Sequence, residues 1–521
     1  MAVKKYPIFG SILKSAVELR GKVSLLNYFH INNPKAAQNK ELKKLLLKAS
    51  ETHFGETYDF KSILKQRDFR ETFRQTVPTH DYNKMFTQWW YRALQGETFV
   101  AWPGKIKYFA LSSGTSEASS KYIPVTTDMI GAIRKTSMRQ LFSLAKYDFP
   151  NEIYEKGALM LGGSTHLQYN GTYYAGDLSG ITTGNLPFWF EHFYKPGSRI
   201  SKERDWATKL EEIIQKAPEW DISAIVGVPA WLQILLEKII ERYHLNNIHD
   251  IWPNLAIYVH GGVSFEPYKK SFEKLLAHPL AYMETYLASE GFLAFQNRPN
   301  VNAMELVLDN GIFFEFVPYH FDNFDTNGNL LDTAKTLFID EVEENVEYAI
   351  LISTCSGAWR YLIGDTVKFT SKERNEIIIT GRTKSFLSIC GEHLSVDNMN
   401  QAIRDLGDEK GMSIKEYTVM GVEHKGMFAH RWFLGVEGDW DAKDAAHRID
   451  EHLKRLNDDY RVERLEAIRD ITVEILPVNV FYDYMRLHGK EGAQNKFPRV
   501  LKGEKAEEWV HYLQTIQKEK N

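Results

Sequence analysis

The chain is poor in cysteine: Cys355 and Cys390 are the only two in 521 residues, too few for a disulfide framework and without C-x-x-C spacing. Both read as structural thiols of a protein kept in a reducing compartment, so a cytoplasmic location is expected. An excess of either charge is missing too, since 64 Lys and Arg stand against 68 Asp and Glu for a net charge of -4. That balance excludes the strongly basic footprint of a nucleic-acid binder. No uninterrupted run approaches the roughly 20 apolar residues that span a bilayer, so no transmembrane segment is expected. The 17 histidines include no H-E-x-x-H pair or other zinc-ligand spacing, G-x-S-x-G is absent, and the Walker order G-x-x-x-x-G-K-[ST] is absent. A zinc hydrolase, a serine hydrolase elbow and a P-loop each lose their defining residues. Residues 1–20 have no continuous apolar core or cleavage site of a signal peptide. Ile8, Ile12, Leu13, Ala16 and Val17 recur at helical spacing and read as an amphipathic helix that packs on its own domain, with a membrane-surface role as the alternative. Repeats, low-complexity tracts and long linkers are lacking as well.

What is present describes a chain of several structural units with 43% hydrophobic residues, ample for a buried core. Apolar runs at 158–162, 224–228, 256–259 and 349–353 read as buried strands, and 205–215, 231–243 and 268–276 read as helices. Their alternation predicts α/β layers with largely parallel sheets. Past Leu394 the pattern changes: 416–422 and 430–436 read as a hairpin around Gly426, Ala446, Ile449, Leu453 and Leu456 mark one helix face, and 471–476 reads as a further strand. That is a compact α+β unit.

Three segments carry the chemistry. Behind an apolar lead-in, residues 112–121 read Ser112-Ser113-Gly114-Thr115-Ser116-Glu117-Ala118-Ser119-Ser120-Lys121. Hydroxyls and successive backbone N–H groups can surround phosphoryl oxygens, Gly114 tolerates positive φ, and Lys121 adds a mobile positive charge. A solvated Ser/Thr turn is the bland alternative. Next, Tyr286-Leu287-Ala288-Ser289-Glu290-Gly291 sets an aromatic ring four residues before a carboxylate, which suits a ring against a base and an acid on a hard cation. Last, Trp359-Arg360-Tyr361-Leu362-Ile363-Gly364-Asp365 places an acid after a glycine, where it could accept ribose hydroxyls or simply close a turn. His260-Gly261-Gly262 could line a nucleotide through backbone groups or be a tight turn. Phe188, Trp189, Phe190, Phe193 and Tyr194 could wall an acyl pocket or form core.

In this order the three segments resemble the signature of the Gretchen Hagen family of acyl acid amido synthetases, within the adenylate-forming superfamily. The family's motifs run S-S-G-T-S-x-G-x-x-K, a Y-x-x-x-E-G-like segment, and Y-R-Y-x-x-G-D. Ala118 stands where the first usually has glycine, and Trp359 where the third usually has tyrosine. Gly381-Arg382-Thr383-Lys384, with Cys390-Gly391-Glu392-His393 beyond, looks like the superfamily's junction between a large and a small mobile domain. Lys496-Phe497-Pro498-Arg499 is similar to the K-x-P-R segment that carries a C-terminal lysine. The resemblance implies a large adenylation domain over residues 1–383 and a small lid over 384–521.

It also implies roles. Ser112, Ser113, Gly114, Thr115 and Ser116 would cradle phosphates, Lys121 would contact the leaving pyrophosphate, and Gly262 would line the nucleotide. Tyr286 would pack on adenine, Glu290 would bind Mg²⁺, Asp365 would hold the ribose, Arg382 would support ribose or phosphate, and Lys496 would complete adenylation. The implied activity is ATP-dependent: a small carboxylic acid becomes an acyl adenylate, and the acyl group then passes to the amine of an amino acid. Two alternatives stand beside it, an acyl-CoA ligase with the same first half-reaction and a nucleotide-binding regulatory module without catalysis. The motifs belong to shared nucleotide chemistry, so neither the acid nor the oligomeric state is read from them.

Overall fold

The computed structural model describes residues 33–112, 121–184, 193–262, 265–320, 322–325, 328–383, 394–424, 427–438, 440–457, 468–490 and 496–519, with single positions such as 14, 15, 19 and 387 between them. The predicted first helix therefore lies mostly outside the described residues, as do Cys390, Gly426, Phe188, Trp189 and Phe190. The chain divides into two compact units. One comprises 1–263, 275–324 and 330–379, and the other comprises 264–274, 325–329 and 380–521.

The first unit is built on a twelve-stranded mixed sheet. Strands Tyr194–Lys195, Gly157–Leu161, Ile222–Gly227, Ile257–Gly261 and Ala281–Ala288 lie side by side in parallel. Helices Trp206–Lys216 and Pro229–Tyr243 lie between consecutive strands of this half, the crossovers that parallel pairing requires. Beyond Ala281–Ala288 the described pairs turn antiparallel, through Gly291–Phe295, Met304–Leu306 and Glu376–Arg382, and again among Tyr361–Ser371, Glu347–Thr354, Ile312–Pro318 and Leu337–Phe338. The α/β class is as expected, with parallel pairing confined to one half. The reason is connection length: Ser289 and Glu290 alone join Ala281–Ala288 to Gly291–Phe295, and so short a link permits only a hairpin.

An aromatic layer covers the antiparallel half. Helices Pro34–Ala49, His53–Thr57, Phe60–Lys65 and Phe69–Thr76 contribute Phe54, Phe60 and Phe73 to one core with Phe313, Phe316, Trp359 and Tyr361. Gln38 pins this layer down: its side-chain nitrogen donates to the Leu308 and Ile312 carbonyls at 2.8 and 3.0 Å, and its oxygen accepts from Phe314 N at 2.7 Å. A smaller four-stranded sheet contains Tyr108–Ser112 and Lys121–Val125 as an antiparallel pair.

The second unit holds the hairpin Ile414–His424 and Met427–Val436, flanked in parallel by Val500–Leu501 and Ile468–Pro477. Side chains alternate across it. Trp432 packs among residues of Val396–Lys410 and Ala442–Leu456, whereas Phe433 points to Trp509 on Glu504–Glu519. On Ala442–Leu456 the buried face is Ala445, Ile449 and Leu453, while Leu456 is 37% exposed. Among the described residues no helix is long and apolar enough to cross a membrane.

Candidate functional site

Parallel strands present their chemistry at their carboxyl ends, where helix N-termini and backbone groups converge and strand order changes direction. Here the parallel half of the sheet ends at Ala281–Ala288, which pairs in parallel on one side and antiparallel on the other. Tyr286 is on this strand, and Glu290 sits in the turn that ends it, 8% exposed. Gly291 follows with φ +151, a backbone conformation that strains any residue but glycine. One strand over, His260 and Gly261 pair with Glu284 and Thr285, and Gly262 is exposed just past the strand end. Burial pushes the His260 imidazole down to about 4, so it is neutral near pH 7. A Cβ on Gly261 would lie 2.5 Å from the Thr285 carbonyl oxygen, which explains glycine there.

Tyr286 and Asp365 meet. The Tyr286 hydroxyl donates to Asp365 Oδ2 at 2.6 Å across 79 residues of sequence, joining the second and third segments. Asp365 lies within Tyr361–Ser371 immediately after Gly364, whose φ of +92 suits only glycine without strain.

The front of the third segment does different work. Trp359 is fully buried, donates its indole N–H to the Ala101 carbonyl at 3.0 Å, and packs against Phe54 and Phe60 at 5.6 and 4.8 Å. Arg360, in a left-handed conformation at φ +43, is enclosed as well. Its guanidinium donates to Glu315 at 2.9 Å, to Thr336 Oγ1 at 2.9 Å, and to the Arg74 and Val77 carbonyls at 2.6 and 2.7 Å. The five N–H donors of arginine in a fixed fork can satisfy such a set, which a lysine could not. His80 completes the clamp. Its backbone brackets Arg360 and Leu362, and its Nδ1 bonds the Trp359 carbonyl at 2.8 Å. Burial lowers its pKa to about 4, and the Trp359 bond opposes that only in part.

The first segment is a hairpin whose base alone is described. Ser112 and Lys121 are register partners in adjacent strands, and Ser113, Gly114, Thr115 and Ser116 lie outside the described residues. Lys121 Nζ stands 5.1 Å from the centre of the Tyr82 ring, and the Tyr82 hydroxyl accepts from Tyr122 N at 2.9 Å. Sequence reasoning passed over Tyr82, which carries no motif and reaches Lys121 and Tyr122 through long-range contacts.

Arg382 and Lys496 belong to the second unit. Arg382 ends strand Glu376–Arg382 and is partly buried, and Lys496 is exposed. Lys496 precedes two anchors. Phe497 is buried among Phe481, Tyr484 and Trp509, and Arg499 donates to Glu416 at 2.6 Å and lies 3.3 Å from the Tyr268 hydroxyl. The same unit contains a cavity of about 250 Å³ bordered by Lys270, Arg404, Asp408 and Met412, which holds none of the sequence-predicted residues. Cys355 is buried and its thiol is pushed upward by burial, so it is a packing residue, as expected for a structural thiol.

Comparison with known proteins gives consistent matches along the chain. Residues 29–170 and 164–280 match the GH3 family N-terminal domain, 305–377 the GH3 family central domain, and 397–505 the GH3 family C-terminal domain. Among curated relatives, the jasmonoyl--L-amino acid synthetase JAR6 of Nicotiana attenuata is 23% identical over 401 residues, covering 64% of this chain and 66% of that protein. The indole-3-acetic acid-amido synthetase GH3.4 of Arabidopsis thaliana is 27% identical over 236 residues, covering 43% and 37%. With 33% of GH3.2 of Arabidopsis thaliana matched, the chain spans between a third and just under two thirds of these relatives. In fold, it resembles the GH3.15 acyl acid amido synthetase with a TM-score of 0.76 at 15% identity, over 96% of each chain. A 2-hydroxyisobutyryl-CoA ligase resembles it with a TM-score of 0.59 at 16% identity, over 93% of this chain and 92% of that one. The fold is therefore that of adenylate-forming enzymes.

Proposed function

The chain belongs to the GH3 family, and on that premise we propose that it is an ATP-dependent acyl acid amido synthetase, which activates a small carboxylic acid as its adenylate and transfers the acyl group to the amine of an amino acid. The observation that carries this reading is the Tyr286–Asp365 hydrogen bond, which joins two of the three motif segments beside the strand where pairing passes from parallel to antiparallel. A free carboxylate resists nucleophiles because it is already anionic, and esterifying it to AMP supplies a good leaving group. The carboxylate oxygen forms a bond to the α-phosphorus of ATP as the bond to pyrophosphate breaks. The amine then attacks the acyl carbon, AMP leaves, and the amine gives up a proton.

Both partners of the first step are anions, so the protein's contribution is positioning and charge compensation. In this mechanism Asp365 accepts from the ribose, and its second oxygen is oriented by the Tyr286 hydroxyl. Tyr286 borders the base, and Gly262 allows close approach of the nucleotide to backbone. Ser112, Ser113, Gly114, Thr115 and Ser116 surround the phosphates, Lys121 offsets the charge of the departing pyrophosphate, and Arg382 and Lys496 serve ribose and phosphate. The donor chemistry fits Mg²⁺: Glu290 offers a carboxylate in a turn, and this hard cation usually takes one or two carboxylates, with waters and substrate phosphate oxygens filling its other positions. The ion's contribution when bound is neutralisation of phosphate charge. Residues 1–383 form the adenylation domain of this proposal and 384–521 its mobile lid, and a cytoplasmic setting with ATP at hand completes it.

The test is acid-dependent pyrophosphate release from ATP and Mg²⁺, with a carboxylic-acid library crossed with amino acids or coenzyme A and products identified by mass spectrometry. An amide is expected. A thioester formed only with coenzyme A, or no release with any acid, overturns the reading.

A further inference from the structure

Two strands from Gly262 along the same carboxyl edge, strand Gly157–Leu161 ends in Gly162 and Gly163, and the side chain beneath them is unusual. Helix Trp206–Lys216 buries Trp206, Lys209, Leu210, Ile213 and Ile214, an uninterrupted helical stripe in which one position is a lysine. Lys209 is 2% exposed. A lysine so placed gives up hydration and is rarely retained without a partner. Its ammonium donates to the Gly162 carbonyl at 2.9 Å and the Gly163 carbonyl at 3.1 Å. The turn is held from the other side as well. Ser179 Oγ accepts from Gly163 N at 3.0 Å, and a Cβ on Gly163 would lie 1.8 Å from Asp177 Oδ2, so the carboxylate rests directly on the glycine backbone. Burial lowers the Lys209 pKa to about 8, opposed by Asp177 and Glu203, and raises that of Asp177.

The position gives this clamp a use. Leu161 is in register with Gly227, and Ile222–Gly227 in turn pairs with Ile257–Gly261. At about 4.8 Å per strand, the turn lies roughly 10 Å along the edge from the end of Ile257–Gly261. Tyr286 and Asp365 lie on the opposite side of that strand end, and the edge over Gly227 and Gly162 carries none of the residues assigned to the nucleotide. We propose that Lys209 is a positioning residue for acid recognition: it fixes Gly162 and Gly163 as the wall against which the carboxylic acid sits. This rests on the proposed function, and it adds that one face of the acid pocket is set by a buried cation with no motif of its own.

The test compares full-length wild type, Lys209→Met, Lys209→Arg and Ser179→Ala by thermal shift and by kinetics. Ligand binding to the native state raises its melting temperature by an amount that grows with the logarithm of ligand concentration over Kd, without any turnover. In wild type, acids from the library and ATP should each raise the melting temperature. In K209M the acid-induced shift should disappear while the ATP-induced shift stays, and K209R should recover part of the acid response. In turnover, K209M should raise KM for the acid about tenfold with kcat and KM for ATP within about twofold, the pattern of lost substrate binding. S179A, which loses the other hold on the turn, should show the same pattern more weakly, and it carries the test if K209M does not fold. Unchanged acid responses, equal losses for acid and ATP, or a wild type that no acid stabilises would overturn the proposal. Failure of the functional reading is separate: acids stabilise wild type and not K209M, yet no amide forms.

Discussion

The two halves of the segment 359–365 are a few residues apart and have opposite surroundings. Trp359 and Arg360 are sealed in the core with their polar atoms committed to Ala101, Glu315, Thr336, Arg74 and Val77. Gly364 and Asp365 are partly accessible, and Asp365 engages Tyr286. A sequence signature thus mixes a fastener with the group proposed to hold the ribose, and the fastener fixes the strand that carries that group. The departure from tyrosine to tryptophan at 359 falls on the fastener half, where the indole keeps an aromatic contact and finds its own acceptor.

Breaking the fastener should have the largest effect. Arg360→Met leaves Glu315 buried without its counter-charge and should cost about 3–5 kcal/mol of stability, read by denaturant unfolding. A fall well below 1 kcal/mol would erase the contrast between the halves. The His80 part of the clamp gives a pH signature. Its pKa in the fold, about 4, lies below the ordinary value of about 6.5, so the unfolded chain binds the proton more readily. Its stabilising contribution is complete above pH ~6.5 and is lost as pH falls toward ~4, amounting to roughly 3 kcal/mol. His80→Asn should therefore flatten the stability-against-pH slope in that window by about one proton, and an unchanged slope would count against the assignment.

The working half should respond in the opposite currency. Asp365→Asn is expected to lower kcat/KM about 100-fold, or about 2.7 kcal/mol of transition-state stabilisation, with an unfolding midpoint near wild type. Loss of stability with unchanged kcat/KM would reverse the roles of the two halves. The smallest effect is expected for Tyr286→Phe, which removes one hydrogen bond while keeping the ring. About 1 kcal/mol, a few-fold in KM for ATP, is the expected reading. A hundredfold loss would instead make the hydroxyl a direct participant.

Much of this was readable from residue order. The apolar runs at 158–162, 224–228 and 256–259 became parallel strands because each is a short apolar run that ends at or next to glycine, and the last two add β-branched residues that favour a strand. The motif residues Tyr286, Glu290 and Gly262 fell at strand ends for the same local reason. Lys209 was legible in principle, as a cation inside an apolar helical stripe, but its helix gave no hint of what it touches.

The sequence by itself determined the family resemblance, the alternation of strands and helices, and the glycines that mark the carboxyl edge, because these follow from neighbours within a few residues. Only the tertiary structure decided that Tyr286 meets Asp365, that Arg360 pairs with Glu315 in the core, and that Lys209 holds Gly162 and Gly163. Those choices depend on which buried polar groups find partners across tens or hundreds of residues, and the cost of leaving any of them unpaired is set by the packed interior.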